Sequence, residues 1–340
     1  MKAAVVRGPK DLVVEEVPDP KPGPDQVLVR MRYCGICGSD LHMFEHRLAP
    51  TGSIMGHEWV GEVAELGAGV TEWALGERVW PGGRFIPNWA WKPEYGWDQE
   101  AWFRDDYVKD MGGYGEYAVY HRRTLAAVAD EVTDLEACMA DQAATGLGAV
   151  HASRLQIGET VLVIGAGPIG LWALRCAQLA GARKVAVCEL ADGRAQHAHD
   201  MGADLVISTK DPSAREQVTD FFDGVGPDVV LECAGSESAF RHAVDVVRPK
   251  GRVALVGISN DPITVTSWNI YLKGVELRGV LDLDFKGGMD IIRRKMVECR
   301  DFLSEVIPLE RAPEVFLSLL HPTDQKKIVI GHLLQPSVQR

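Results

Sequence analysis

The segment TVLVIGAGPIG, residues 160–170, decides the fold. Five apolar or β-branched residues are followed by Gly165, Gly167 and Gly170, and then by a helix-like run. A G-x-G-x-x-G pattern is weak by itself. Placed between a strand and a helix it marks a dinucleotide loop. Gly165 permits the tight turn, Gly167 lets a pyrophosphate approach the backbone, and Gly170 lets helix and strand pack closely. The helix N-terminus then offers N–H groups to the phosphates.

The pattern continues outward from that loop. KVAVCEL, DLVIS, PDVVLECAG and RVALVGIS read as buried strands. Helix-like stretches separate them: PIGLWALRCAQLAGA, ADGRAQHAHDMGA, REQVTDFFDG and SESAFRHAVDVVRPKG. Strands alternating with helices predict a parallel sheet covered on both faces, a doubly wound α/β domain. Nineteen residues beyond Gly170, Glu189 ends the second strand, where an acid accepts from the adenosine ribose hydroxyls and repels a 2′-phosphate. NAD is expected over NADP, with Arg194 close by on the adenosine side.

The first third differs. QVLVRMRYCG, VGEVAELGAG, GERVW and EYAVYH are short strand-like runs punctuated by Gly and Pro, and no amphipathic helix is evident before about Leu135. A β-rich module is expected there. After about Leu281, RRKMVECRDFL and APEVFLSLL look helical and KKIVIGHLL strand-like, and this tail could return to the first module. The domains are drawn as 1–147 with 283–340, and 148–282.

Composition narrows the class. The 340 residues carry 36 Lys and Arg against 48 Asp and Glu, a net charge of −12, which argues against nucleic acid or an anionic membrane as partner. No apolar run approaches the ~20 residues of a membrane span, and AAVV near the start is too short for a signal-peptide core. A cytoplasmic protein is expected. Seven scattered cysteines do not form a disulfide framework. Cys176, Cys188 and Cys233 sit in apolar contexts and read as small buried hydrophobes.

YCGICGSDLHMF, residues 33–44, then poses a choice. A zinc finger would need a second Cys/His pair at finger spacing, and none follows. A redox CxxC usually opens a helix beside a thioredoxin-type sheet, whereas this one follows a strand. Residues 53–63, SIMGHEWVGEV, supply His57 and Glu58. Cysteine, histidine and a carboxylate make a sensible ligand set for a catalytic zinc with an open position.

Together CGICGSDLH (34–42), GHEWVGEV (56–63), GERVW (76–80), TGLGAV (145–150) and VIGAGPIG (163–170) resemble the zinc-dependent medium-chain alcohol dehydrogenases along essentially the whole chain. The resemblance implies a GroES-like β-rich catalytic domain joined to a Rossmann domain. It implies Cys37 and His57 as zinc ligands, with Glu58 ligating or exchanging with water or substrate. The third ligand position, four residues before Thr145, holds Asp141. A carboxylate there is usual in the polyol, sugar and threonine branches. Ser39 matches the hydroxyl that passes on the alcohol proton, and His42 the outer end of that relay. Pro168, Ile169, Thr145 and Val256 are expected to line the cofactor beside the loop glycines.

The resemblance further implies NAD-dependent oxidation of a secondary alcohol, most simply a polyol, sugar or cyclitol. A threonine-type amino alcohol or a hydrophobic cyclic alcohol are the rivals. A non-enzymatic binding protein would not need the intact ligand set. Family members with a structural zinc carry four clustered cysteines, but here no cysteine lies between Cys37 and Cys138. One zinc, in a homodimer or homotetramer, is therefore expected. Cys34 and Cys138 read as packed side chains. Trp80, Trp89, Trp91, Trp97 and Trp102 would stiffen the lobe or line the substrate.

Overall fold

The computed structural model describes residues 1–46, 48–82, 111–259, 261–281, 283–321 and 323–332. They fall into two compact units. One comprises the described residues within Met1–Ala140, Leu303–Pro322 and Lys327–Arg340, and the other Asp141–Phe302 with Thr323–Lys326.

In the first unit β1 (Lys2–Gly8) and β2 (Asp11–Glu16) form an antiparallel pair. β3 (Gln26–Gly35) runs on into α1 (Gly38–Glu45). β4 (Glu58–Leu66), β5 (Arg78–Pro81), β6 (Tyr117–His121) and β7 (Leu125–Ala127) follow, then the short α2 (Asp134–Ala137). β3 pairs with β4 along one edge. Its first half pairs with β6 through residues 26–30 on the other. The helix α1 was not anticipated. Two turns are too few for a period to show. It forms because Asp40, Met43 and Phe44 share a buried face and the Asp40 carboxylate accepts from the Cys37 N–H at 3.0 Å.

In the second unit α3 (Ala140–Ser153), assigned from Asp141 onward to this unit, precedes a six-stranded sheet. Its strands are β8 (Thr160–Ile164), β9 (Lys184–Glu189), β10 (Leu205–Ser208), β11 (Val229–Glu232), β12 (Arg252–Leu255) and β13 (Glu276–Gly279). They are all parallel, in the order β10-β9-β8-β11-β12-β13. This is the Rossmann order, with its topological switch between β8 and β11. Helices α4 (Pro168–Leu179), α5 (Asp192–Asp200), α6 (Ala214–Phe221) and α7 (Glu237–Val246) make the first four crossovers, and the helix at Ser267–Lys273 lies in the fifth. The sequence pattern missed α8 (Ser267–Lys273) and the edge strand β13. The helix expected in RRKMVECRDFL is also corrected. α9 (Phe285–Arg293) stops there, and Lys295 takes a left-handed φ of 52°.

The chain ends with β14 (Leu303–Ile307), α10 (Ala312–Leu319) and β15 (Lys327–Gly331). β15 joins the first unit by pairing antiparallel with β3 at Tyr33, Cys34 and Gly35. The first unit's sheet thus runs β14-β15-β3-β4-β5-β7. Phe316 of α10 packs edge-on against Phe44 and Tyr114, with centroids 5.3 and 5.6 Å apart. The Phe44 contact seats α1 against α10.

Cys176 and Cys188 are buried as expected, and burial pushes both thiols up to about 12. Cys233 is only half-buried. Trp80 is buried in β5, whereas Trp89, Trp91, Trp97 and Trp102 lie outside the described residues. Among the described residues no helix is long and apolar enough to cross a membrane.

Candidate metal centre and cofactor loop

The end of β3 gathers the first unit's chemistry. Gly35 pairs with Glu58 on one side and with Val329 on the other. Cys37 follows as the N-cap of α1, and His57 and Glu58 enter β4. Ligand atoms of Cys37, His57 and Glu58 all lie within 4.8 Å of one another. Thiolate, imidazole and carboxylate fit a zinc ion by donor type. These three are brought together as the sequence implied. Asp141 belongs to the second unit. It stands in the first turn of α3, half-buried, and its carbonyl accepts from the Thr145 hydroxyl at 3.0 Å.

A second layer went unread in the sequence. Asp40 is fully buried, with Oδ1 3.3 Å from His57 Nδ1. Its Oδ2 accepts from the Tyr114 hydroxyl at 2.6 Å. Burial alone would raise the Asp40 carboxyl, but His57, Tyr114 and the Cys37 N–H hold it below its usual range. Burial opposes charge on His57, but Asp40 and Cys37 outweigh it and hold the imidazole well above its ordinary pKa. Carboxylate–histidine pairing of this kind orients a metal-binding ring.

Glu58 has its own support. Lys327, at the start of β15, donates to both Glu58 oxygens at 2.7 and 3.0 Å, and the Cys138 thiol donates to the Glu58 carbonyl at 3.1 Å. Gly35 is required here, because a Cβ on it would overlap the Glu58 carboxylate. Burial would lower the Lys327 ammonium, but Glu58 reverses this and holds it above its usual value. Cys34 is buried as a packed side chain, as read. No local signal identified Lys327. Asp40 was at least visible inside GSDLH.

Ser39 lies half-buried in the first turn of α1. His42, one turn on, has Nε2 enclosed without a partner among the described residues and its ring 4.5 Å from that of His46.

The cofactor loop is described within the second unit. Gly165 has φ +95°, and a Cβ on Gly170 would overlap the Gly165 carbonyl. Gly167 is the N-cap of α4 with Pro168 at N1. A Cβ there would meet only Arg194 Nη1, at 3.9 Å, so the cradle is open. Glu189 ends β9 as expected, yet its carboxylate is not simply waiting for a ribose. One oxygen accepts from Ala166 N at 2.6 Å, the other from Leu190 N and Ala191 N at 2.7 and 2.8 Å. It braces the glycine loop from the neighbouring strand. The Nε of Arg194 is buried with no partner among the described residues. Ile169 is half-buried in the first turn of α4, and Val256 follows β12 with its N–H on the Glu232 carbonyl at 2.8 Å. Thr145 is on α3.

Residues 23–130 match the alcohol dehydrogenase GroES-like domain, and residues 168–290 the zinc-binding dehydrogenase domain. The chain is 31% identical to human sorbitol dehydrogenase over 92% of its own length and 90% of that protein. It is 33% identical to L-threonine 3-dehydrogenase of Chelativorans sp. (strain BNC1), over 82% of this chain and 83% of the relative. The crystal structure of 2R,3R-butanediol dehydrogenase from Bacillus subtilis superposes with a TM-score of 0.84 at 26% identity, covering 97% of this chain and 99% of that one.

Proposed function

Since the chain belongs to the zinc-dependent medium-chain alcohol dehydrogenase family, we propose that it oxidises a secondary alcohol of the polyol, sugar or cyclitol class to a ketone, with NAD as hydride acceptor. The observation that carries the reading is the convergence of Cys37, His57 and Glu58 ligand atoms within 4.8 Å. Zinc supplies a Lewis acid that makes the alcohol proton acidic near neutral pH, and NAD takes the hydride. The chain's own residues do the rest. Asp40 fixes the His57 ring, Ser39 accepts the alcohol proton, and His42 passes it outward. Gly165, Gly167 and Gly170 admit the pyrophosphate, and Glu189 favours a free ribose over a 2′-phosphate. We assign one zinc per chain, Asp141 as its further ligand, and NAD to residues 148–282.

A threonine-type amino-alcohol dehydrogenase is the second reading, favoured by the 33% identical relative. Spectrophotometric screening of NAD and NADP reduction over polyols, sugars, cyclitols, threonine and cyclic alcohols, with metal analysis, tests both. Turnover confined to threonine would replace the first by the second, and NADP preference would remove the role given to Glu189. We also propose a homodimer or homotetramer. Trp268, Tyr271 and Leu272 of α8 are exposed apolar side chains of the kind an interface covers. A monomeric mass in solution would refute it.

A further inference from the structure

Two histidines stand one turn apart on α1. His46 is the C-cap of the helix, and its N–H donates to the His42 carbonyl at 3.0 Å, so the two are i, i+4 neighbours. Their ring centroids are 4.5 Å apart and their planes meet at 52°. His42 Nε2 is enclosed without a partner among the described residues, whereas the His46 side chain is 44% exposed. Another side of the helix is fixed, because Asp40, Met43 and Phe44 are buried. The pair therefore rides on an anchored turn, and its outer ring meets solvent.

Ring packing does not account for this geometry. Packed aromatic rings prefer an offset stack or an edge-on contact. The Trp59–Tyr120 pair is stacked at 24°, and Phe316 meets Phe44 and Tyr114 edge-on at 83° and 85°. The histidine pair is neither. Two imidazoles that share a metal ion do come this close. With metal–nitrogen bonds of about 2.0–2.1 Å and an angle of about 90–110° at the ion, their centroids stand roughly 4.5–5 Å apart. They are also tilted, since the ion lies in the plane of each ring. Either ring nitrogen can ligate, and χ2 of histidine is soft, so each ring can turn a nitrogen to a common ion. An acid lies beside them. Glu45 Oε2 is 3.7 Å from His46 Nε2, while its Oε1 accepts from the Lys10 ammonium at 2.9 Å. The Lys10 hydrogen bond, with smaller help from His46 and His42, holds the Glu45 carboxyl below its ordinary range. A carboxylate at that place offsets part of the charge of a bound cation.

We propose that His42 and His46 form a second metal site, which takes a late first-row divalent cation such as nickel(II), copper(II) or zinc(II), with water in the remaining positions. Imidazole donors suit these ions and not magnesium or calcium. Neither histidine belongs to the Cys37–His57–Glu58 group. Occupancy has a consequence that rests on the dehydrogenase reading above. A metal on His42 takes the imidazole assigned to pass the alcohol proton outward, so turnover slows while cofactor binding is unaffected.

The test uses the full zinc-loaded chain as wild type, His46→Gln and His42→Gln. Nickel(II) is titrated calorimetrically in the presence of magnesium, and initial rates are read at each nickel concentration. Elemental analysis afterwards shows whether the first metal has stayed in place. Wild type should bind nickel without losing zinc. Either substitution leaves a single imidazole and removes the second, intramolecular contact, so nickel affinity should fall about 100-fold. Without nickel, His46→Gln should turn over like wild type, and it should resist nickel inhibition. Brief chelation should restore the wild-type rate. Nickel binding of equal strength in wild type and the variants would overturn the site, as would nickel uptake matched by zinc loss. Should one variant not fold, the other decides, since the binding readout needs no turnover. A nickel site lost in both variants but without effect on the wild-type rate would uphold the site and overturn the relay role given to His42.

Discussion

Asp40 Oδ1 lies 3.3 Å from His57 Nδ1, and both atoms are shut away from solvent. The same carboxylate receives the Tyr114 hydroxyl and the Cys37 N–H. One buried acid thereby sets a ring, a tyrosine and the backbone of Cys37. Asp40→Asn keeps the shape and removes the charge. Zinc affinity should fall about 10–100-fold, as with other lost partners of metal-bound histidines. NAD binding should be unchanged. Competition with a zinc-sensitive dye measures the first and fluorescence titration the second; an unchanged zinc affinity would show that Asp40 serves packing alone.

Glu189 braces the glycine loop and, under the proposed function, also sets the preference for NAD. Its oxygens accept three backbone N–H groups of the loop and its flank. Glu189→Gln leaves at least one of those donors without an acceptor and lifts the repulsion of a 2′-phosphate. A lost charged hydrogen bond is worth about 1.5–3 kcal/mol, so NAD affinity should fall about tenfold or more. The ratio of NADP to NAD affinity should rise. Calorimetric titration with each cofactor checks both, and an NAD affinity equal to wild type would contradict the bracing role.

These two acids show what a sequence makes legible. Buried parallel strands are apolar without a break, so β8, β9, β11 and β12 declare themselves, and the glycines fix the turn between β8 and α4. Glu189 follows from that frame by position. Its bonds to Ala166, Leu190 and Ala191 do not, because they depend on how the loop folds back. Cys37, His57 and Glu58 were legible as a donor set. Lys327 was not, because it meets Glu58 across 269 residues and its neighbours only say strand. α1 was hidden by its length, and β13 by Glu276 and Arg278, whose charges interrupt the apolar pattern at the sheet edge.

His332 supplies a pH test of the first unit. Its Nε2 lies 2.8 Å from the Gly113 carbonyl and Nδ1 is buried without a partner among the described residues. Burial holds the ring down to about 4 from an ordinary 6.5. The unfolded chain therefore binds a proton that the folded chain refuses between those values. Stability is full above pH 6.5 and falls as pH drops toward 4, by on the order of 3 kcal/mol. His332→Gln keeps a donor for Gly113 and cannot titrate. Urea unfolding at pH 7 and pH 5 should show a smaller loss in the variant than in wild type; equal losses would mean His332 is not the titrating group.

Asp141 is the residue on which the metal assignment is most exposed. It occupies the position four before Thr145 where the family resemblance calls for a ligand, and it belongs to the second unit, whereas Cys37, His57 and Glu58 belong to the first. Two roles compete. As a metal ligand its negative charge is essential, since an amide oxygen binds a divalent cation less well and the site would gain a unit of positive charge. As a first-turn acid of α3 its charge is worth only about 0.3–1 kcal/mol to the helix. Asp141→Asn separates them. Under the ligand role zinc content falls, turnover is nearly abolished, and NAD binding and the melting transition survive. Asp141→Cys should then recover zinc with altered activity, because a thiolate also ligates but at ~2.3 Å rather than ~2.0–2.2 Å. Under the helix role Asp141→Asn retains both zinc and turnover within about twofold. Elemental analysis and initial rates on that one variant distinguish the two, and full zinc with full activity would take Asp141 out of the site.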